Sequence, residues 1–174
     1  MDDITSIEPF SPRLARIAVA AVLLLAPACS HQDGGEGKPL PAASLSSLST
    51  GKPADLDADG KPLIINFWAS WCTPCRAEMP AFEQVHQELG DQVAIVGVTD
   101  EDDHDASAEA AEEAGVTYPL LVDDDQTLLT DLRVSGLPGT VFVDADGNVV
   151  GRHLGALTEA ELTKEIEDRY GITA

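Results

Sequence analysis

Two cysteines separated by two residues are the part of this sequence best suited to chemistry. Cys72 and Cys75 lie in the segment WCTPC, residues 71–75. A disulfide between them closes too small a loop to stabilise a domain, which favours a chemical role. A thiolate of Cys72 can attack a partner's disulfide, and Cys75 can then resolve the mixed disulfide. The spacing therefore indicates thiol–disulfide exchange. The alternatives are two inert buried cysteines or a zinc site, which needs two further ligands.

A buried strand and a helix are predicted on either side of the cysteine pair. The nearly continuous apolar run at residues 63–68 is typical of a strand covered on both faces. Residues 75–89 follow a helical period. The first turn of a helix offers unpaired N–H groups and the positive end of the helix dipole, so we expect a stabilised thiolate at Cys72. Pro74 falls in this first turn, where its missing N–H has no consequence.

The remaining segments predict an α/β domain. Strand and helix signals alternate along the chain and end in a hairpin and a last helix, which begins at the capping box of Thr158 and Glu161. This order predicts a mixed central sheet with helices on both faces. A short N-terminal β-hairpin between Leu45 and Leu56 extends this sheet. The other strands are predicted at residues 93–98, 118–122, 140–143 and 148–154, and the other helices at residues 107–114 and 126–133.

Residues 1–29 are predicted to be an export signal. Arg13 and Arg16 precede an apolar run that is shorter than the about 20 residues needed to span a membrane. The residues before Cys29 resemble those before the lipid-modified cysteine of bacterial lipoproteins. They differ in two ways: the leucine lies one position early, and Pro27 stands where a small residue is usual. We therefore expect lipidation of Cys29, with plain secretion and an uncleaved anchor as alternatives. Residues 30–43 predict a flexible tether, and residues 44–174 the folded domain.

The chain is strongly acidic. It contains 31 acidic and 10 basic side chains among 174 residues, a formal net charge of −21. Phosphate recognition needs clustered lysine or arginine, so this charge argues against nucleic acid as a partner. It also disfavours electrostatic binding to anionic lipids. High solubility is the simplest consequence, and we expect a monomer.

The segment LIINFWASWCTPCRAEMP, residues 63–80, closely resembles the extracytoplasmic thioredoxin-like proteins of the TlpA/ResA type. The resemblance extends over about residues 44–170 and includes GLPGT at residues 136–140. It implies a thioredoxin-like fold in which Pro138 is a cis-proline that faces the cysteines. The backbone of Leu137 is then expected to pair with an extended substrate segment.

The same resemblance implies roles for residues around the cysteines. Glu78 matches a family glutamate that tunes the protonation of the second cysteine; the alternative is an exposed acid in the first turns of the helix. Asn66 stands where cytoplasmic thioredoxins carry a buried aspartate, which removes the usual buried proton acceptor. Trp68 packs around the site. The expected substrate contacts are Trp71, Thr73, Pro74 and Leu137.

The function implied by the resemblance is reduction of disulfides in exported proteins, including cytochrome c apoproteins. A membrane thiol reductant or oxidant is the expected partner, and the direction of electron flow stays open. One alternative is a thiol peroxidase related to peroxiredoxins, which use a Thr-x-x-Cys site. Another is a copper-handling protein, whose relatives space the cysteines further apart and add a histidine. We expect no cofactor and no metal site.

Overall fold

The computed structural model describes residues 37–173, with the exception of residues 57, 101 and 102. The predicted signal, Cys29 and the first part of the predicted tether lie outside the described residues. The described chain contains the strands β1 (Lys38–Pro39), β2 (Leu45–Ser47), β3 (Pro53–Ala54), β4 (Leu63–Phe67), β5 (Ala94–Thr99), β6 (Leu120–Asp123), β7 (Gly139–Val143) and β8 (Asn148–Leu154). Its helices are α1 (Thr73–Leu89), α2 (His104–Ala114), α3 (Leu128–Asp131) and α4 (Glu159–Tyr170).

These strands form one sheet in the order β1-β8-β7-β4-β5-β6-β2-β3. Strands β4, β5 and β6 run parallel at its centre, and the other neighbouring pairs are antiparallel. The predicted mixed sheet and its N-terminal hairpin, formed by β2 and β3, are thus confirmed. The two edges of the sheet are β1 and β3, each of which is two residues long and contains a proline.

Side chains on the two faces of the sheet belong to separate cores. Ile64 of β4 packs with Phe82 of α1 and Leu162 of α4, whereas Ile65 packs with Leu128 of α3. Successive residues of a strand point to opposite faces, so α1 and α4 cover one face and α3 covers the other. The prediction of helices on both faces is confirmed. Strand β4, which leads to the cysteines, is buried along its whole length.

The helix ends follow signals that the sequence contains. Helix α2 stops at Gly115, whose left-handed backbone (φ 67°) suits a residue without a side chain. Helix α4 begins at the predicted capping box, in which Thr158 and Glu161 each accept the other's backbone N–H. Among the described helices, none combines the length and the apolar character that crossing a bilayer requires.

Strand β1 lies inside the interval that the sequence predicts to be a flexible tether. Lys38 and Pro39 pair with Val149 and Asn148 of β8. Backbone pairing requires no apolar side-chain period, so a strand this short leaves no signal in the sequence. The predicted tether is therefore corrected at its C-terminal end, where the chain joins the sheet.

Candidate active site

The cysteine pair lies where the central strand β4 is followed by helix α1. Cys72 is the N-cap residue of α1, and its Sγ accepts a hydrogen bond from the N–H of Cys75 at 3.3 Å. A disulfide joins the two residues, whose Cα atoms are 5.2 Å apart. The helix N-terminus expected from the sequence is therefore present at Cys72. Its N–H groups are placed to stabilise negative charge on this sulfur once the disulfide opens.

The inner and outer sides of the disulfide differ in exposure. Cys72 and Cys75 are both buried, and Trp68 packs against them on the protein side. The indole of the neighbouring Trp71 is 70% exposed. An approaching polypeptide therefore meets exposed residues directly beside a buried disulfide. These exposed residues are three of the expected substrate contacts: Trp71, Thr73 and Pro74.

A second segment, between α3 and β7, carries the expected cis-proline. The Leu137–Pro138 peptide bond is cis. Leu137 packs against the cluster that contains both cysteines, so this segment lies beside the disulfide. The N–H of Gly155 donates to the carbonyl oxygen of Pro138 at 3.0 Å. This hydrogen bond attaches the loop between β8 and α4 to the cis-proline segment.

Glu78 is buried behind the disulfide and has a hydrogen bond to each carboxyl oxygen. Only 3% of the residue is exposed. Its Oε1 accepts from Nδ2 of Asn66 at 2.8 Å, and its Oε2 accepts from the N–H of Leu157 at 2.8 Å. The alternative of an exposed helix acid is therefore wrong. Glu78 lies one helical turn after Cys75, on the buried side of α1.

Burial raises the pKa of Glu78 from 4.5 to about 7, because a carboxylate loses its hydration inside the protein. The hydrogen bonds from Leu157 and Asn66 lower the pKa and offset part of this effect. A carboxyl group with a pKa near neutrality can both accept and release a proton under physiological conditions. Glu78 therefore has the protonation behaviour of an acid–base group.

Asn66 makes a buried contact that the sequence did not reveal. From the sequence, we expected β4 to lack a buried proton acceptor, because Asn66 stands where cytoplasmic thioredoxins carry an aspartate. In the structure a buried carboxyl is supplied from α1 instead, and the amide of Asn66 donates to it. The sequence offered one signal, since Glu78 lies three residues after Cys75 and four before Phe82, positions that share one face of a helix.

Three segments around the disulfide carry no charged side chain, although the chain as a whole has a net charge of −21. Residues 68–75, 134–143 and 154–157 contain no Asp, Glu, Lys or Arg. Leu154, which the sequence analysis did not single out, is 55% exposed and pairs with Gly139 next to the cis-proline. Within the described chain, Leu154 and Trp71 are the large hydrophobic residues that remain exposed. These three segments thus form an uncharged and partly apolar surface beside the disulfide, whereas Arg76, paired with Glu113, directly follows Cys75.

Fold and site together define a thioredoxin-like thiol–disulfide oxidoreductase, with the Cys72–Cys75 disulfide at the N-terminus of α1. Residues 37–152 match the model of the AhpC/TSA family, and the chain belongs to this family.

Individual relatives agree with this class of protein. Thioredoxin-like protein YneN of Bacillus subtilis is 36% identical over 135 residues, which cover 76% of this chain and 79% of the relative. Thiol:disulfide interchange protein HelX of Rhodobacter capsulatus is 39% identical over 142 residues, which cover 79% and 78% of the two chains. A solved structure, that of a secreted Mycobacterium tuberculosis disulfide oxidoreductase homologous to E. coli DsbE, is 29% identical with a TM-score of 0.63. The match covers 74% of this chain and 96% of that one.

Proposed function

We propose that the Cys72–Cys75 pair reduces disulfides in exported proteins on the extracytoplasmic side of the membrane, with cytochrome c apoproteins among the substrates. The observation that carries the proposal is the position of Cys72, whose sulfur caps α1 beside an exposed and uncharged surface. The thiol:disulfide interchange relatives support the same chemistry. The substrate class itself rests on the resemblance of residues 63–80 to the TlpA/ResA type.

The proposed reaction begins with the reduced pair. The Cys72 thiolate attacks one sulfur of the substrate disulfide, forming a mixed disulfide and releasing the other substrate sulfur as a thiolate. Cys75 then loses its proton, and its thiolate attacks Sγ of Cys72. The second substrate thiolate leaves, and the protein disulfide forms. Two electrons pass from the protein dithiol to the substrate.

Glu78 is the proposed acceptor of the Cys75 proton. It lies one helical turn from Cys75 on the buried side of α1, where bulk water is excluded. Its pKa of about 7 lets it take the proton when Cys75 attacks and release the proton afterwards. Asn66 and the Leu157 N–H hold the carboxyl in place for this transfer.

The proposed substrate site uses backbone and side chains around the disulfide. The main chain of Leu137 pairs with an extended substrate segment, because it lies beside the cysteines in the cis-proline segment. Trp71, Thr73 and Pro74 contact the residues that flank the substrate cysteine. The uncharged surroundings suit a partly unfolded polypeptide, whose apolar side chains are exposed.

A lipid on Cys29 is the proposed membrane anchor, and the protein is proposed to act as a monomer. A membrane electron carrier then regenerates the dithiol. Mass spectrometry of the mature N-terminus tests the anchor. A diacylated cysteine is the expected result, whereas an unmodified Ala or Ser terminus contradicts lipidation.

Replacing Cys75 by serine tests the assignment of the two sulfurs. The Cys75→Ser variant is expected to accumulate mixed disulfides with substrates, since Cys72 still attacks and nothing resolves the product. Cys72→Ser is the matched control and is expected to accumulate none. The reverse pattern would exchange the two roles.

Equilibration of the wild type with glutathione tests the direction of electron flow. A reduction potential near −120 mV, at the oxidising end for this fold, contradicts the proposal that the protein is a reductant.

The two alternative chemistries lack their sequence signatures. The position three residues before Cys72, where a peroxidatic site has threonine, is occupied by Ala69. The two cysteines are separated by Thr73 and Pro74 alone, a shorter spacing than in the copper-handling relatives. Thiol–disulfide exchange is therefore the function that this pair supports best.

A further inference from the structure

The few basic side chains of this acidic protein are unevenly distributed. Residues 37–173 contain eight lysines and arginines. Ion pairs engage Arg76, Lys164 and Arg169, and Lys61 donates to a backbone carbonyl. Three of the eight line a single groove of about 380 Å³. We call it the basic groove, and its charged residues are Lys38, Arg133, Arg152 and the acid Asp131.

Separate elements bring the cations of the basic groove together. Lys38 of β1 lies opposite Val149 of β8, and residues opposite each other in an antiparallel pair point to the same face. Arg152 lies further along β8, and its Nε donates to the carbonyl oxygen of Leu132. The next residue, Arg133, is exposed and has a positive φ of 56°. The groove is thus built from β1, β8 and the end of α3, with an apolar floor that includes Val149 and Leu132.

Two cations of the basic groove lie close in sequence to the uncharged segments beside the disulfide. Arg133 is followed by the segment 134–138, which ends in the cis-proline, and Arg152 precedes the exposed Leu154 by two residues. A polypeptide segment that extends from Leu154 along β8 therefore reaches Arg152.

We propose that the basic groove binds an acidic segment of the polypeptide whose disulfide reacts with Cys72. This inference rests on the proposed function and adds a feature of the substrate to it. Guanidinium groups bind carboxylates in bidentate pairs, and the lining has a net positive charge because three cations face one acid. Elsewhere the protein surface repels acidic chains, so the groove restricts where such a segment can lie.

The test uses the full chain in its reduced form and two disulfide-linked peptides that are identical around the cysteine. One peptide carries a glutamate-rich tract on a Gly-Ser spacer of about eight residues, which reaches at most about 29 Å. The other carries glutamine in place of glutamate. Second-order rate constants for reduction are measured with Lys38→Gln/Arg133→Gln and with the control Lys52→Gln/Lys164→Gln. Arg152 is left intact because it also binds the backbone of Leu132.

Both double variants lose the same charge, so long-range repulsion of the glutamate peptide is matched. For each variant, the rate constant for the glutamate peptide is divided by that for the glutamine peptide. At low salt this ratio is expected to be about three- to tenfold lower for Lys38→Gln/Arg133→Gln than for the control Lys52→Gln/Lys164→Gln. The difference is expected to shrink as salt is added. Equal ratios in the two variants overturn the proposal.

Two further results distinguish this proposal from failure of the proposed function and from binding of the groove to lipid. If the wild type reduces neither peptide, the proposed function fails, and the acidic-segment proposal fails with it. Vesicles of anionic phospholipid are the second probe. The proposal is overturned if the peptide ratios of the two variants are equal and the vesicles bind to the wild type but not to Lys38→Gln/Arg133→Gln. In that case the groove binds an anionic lipid surface instead of an acidic polypeptide.

Discussion

Replacing Glu78 by glutamine is expected to change how the stability of the protein depends on pH. Burial raises the pKa of Glu78 from 4.5 in the unfolded chain to about 7 in the fold. Between these values the folded protein holds a proton that the unfolded chain has released, so the free energy of unfolding falls as pH rises. At about 1.4 kcal/mol per pH unit, the wild type loses about 3 kcal/mol across this range through Glu78 alone.

Glutamine stays neutral, and the variant lacks this loss. It does carry a constant penalty, since its amide group can accept only one of the two hydrogen bonds that Glu78 receives from Asn66 and Leu157. That penalty is about 1–3 kcal/mol and does not change with pH. The free energy of unfolding of Glu78→Gln minus that of the wild type is therefore expected to rise by about 3 kcal/mol between pH 4.5 and pH 8.

Urea denaturation of the oxidised proteins, followed by tryptophan fluorescence, measures this difference at each pH. Glu83→Gln is a matched control on the same helix. Burial raises the pKa of Glu83, but hydrogen bonds from Thr117 and Gln87 outweigh it and lower the pKa overall. Its carboxylate therefore stabilises the fold above the unfolded pKa. The Glu83→Gln difference is expected to fall with rising pH. Parallel curves for the wild type and Glu78→Gln would refute the buried, proton-holding Glu78.

Three further substitutions test other parts of the structure. Trp71→Ala removes an exposed side chain, so we expect an unchanged Tm and about tenfold lower kcat/KM for a disulfide-containing protein; an equal loss with glutathione disulfide would argue against a substrate contact. Thr158→Ala is expected to lower the free energy of unfolding by about 1 kcal/mol through loss of the capping box, and an unaltered urea midpoint would contradict this. Gly97→Ala places a Cβ 2.5 Å from Leu120 Cδ2 and 3.2 Å from Trp68 Nε1. It is expected to destabilise the fold by about 1–3 kcal/mol and to shift the tryptophan emission, and a variant as stable as the wild type would show that the space is larger than the structure indicates.

The position of the two cysteines between a strand and a helix could be predicted because the signals are local. The apolar run of β4, the proline in the first turn of α1 and the helical period that follows all lie within residues 63–89. Each reports the conformation of its own segment without reference to the rest of the chain. The cis-proline was expected for a different reason, namely the resemblance of residues 136–140 to a known family.

The environment of Glu78 could not be predicted in the same way. Its hydrogen bonds come from Asn66 on β4 and from Leu157, which is 79 residues away in sequence. Contacts of this kind depend on how α1, the sheet and α4 pack together. A local sequence pattern does not predict that packing. Asn66, which stands where a buried carboxyl was expected to be missing, therefore turned out to donate a hydrogen bond to a different buried carboxyl, that of Glu78.

The two-residue strands at the edges of the sheet affect how the protein behaves at high concentration. An edge strand with free N–H and C=O groups invites a second chain to add to the sheet, which leads to aggregation. Strands β1 and β3 are very short, and each contains a proline, which has no N–H to donate. The two ends of the sheet thus present little free backbone to which a second copy of the chain could add, which lowers the tendency to form fibrils.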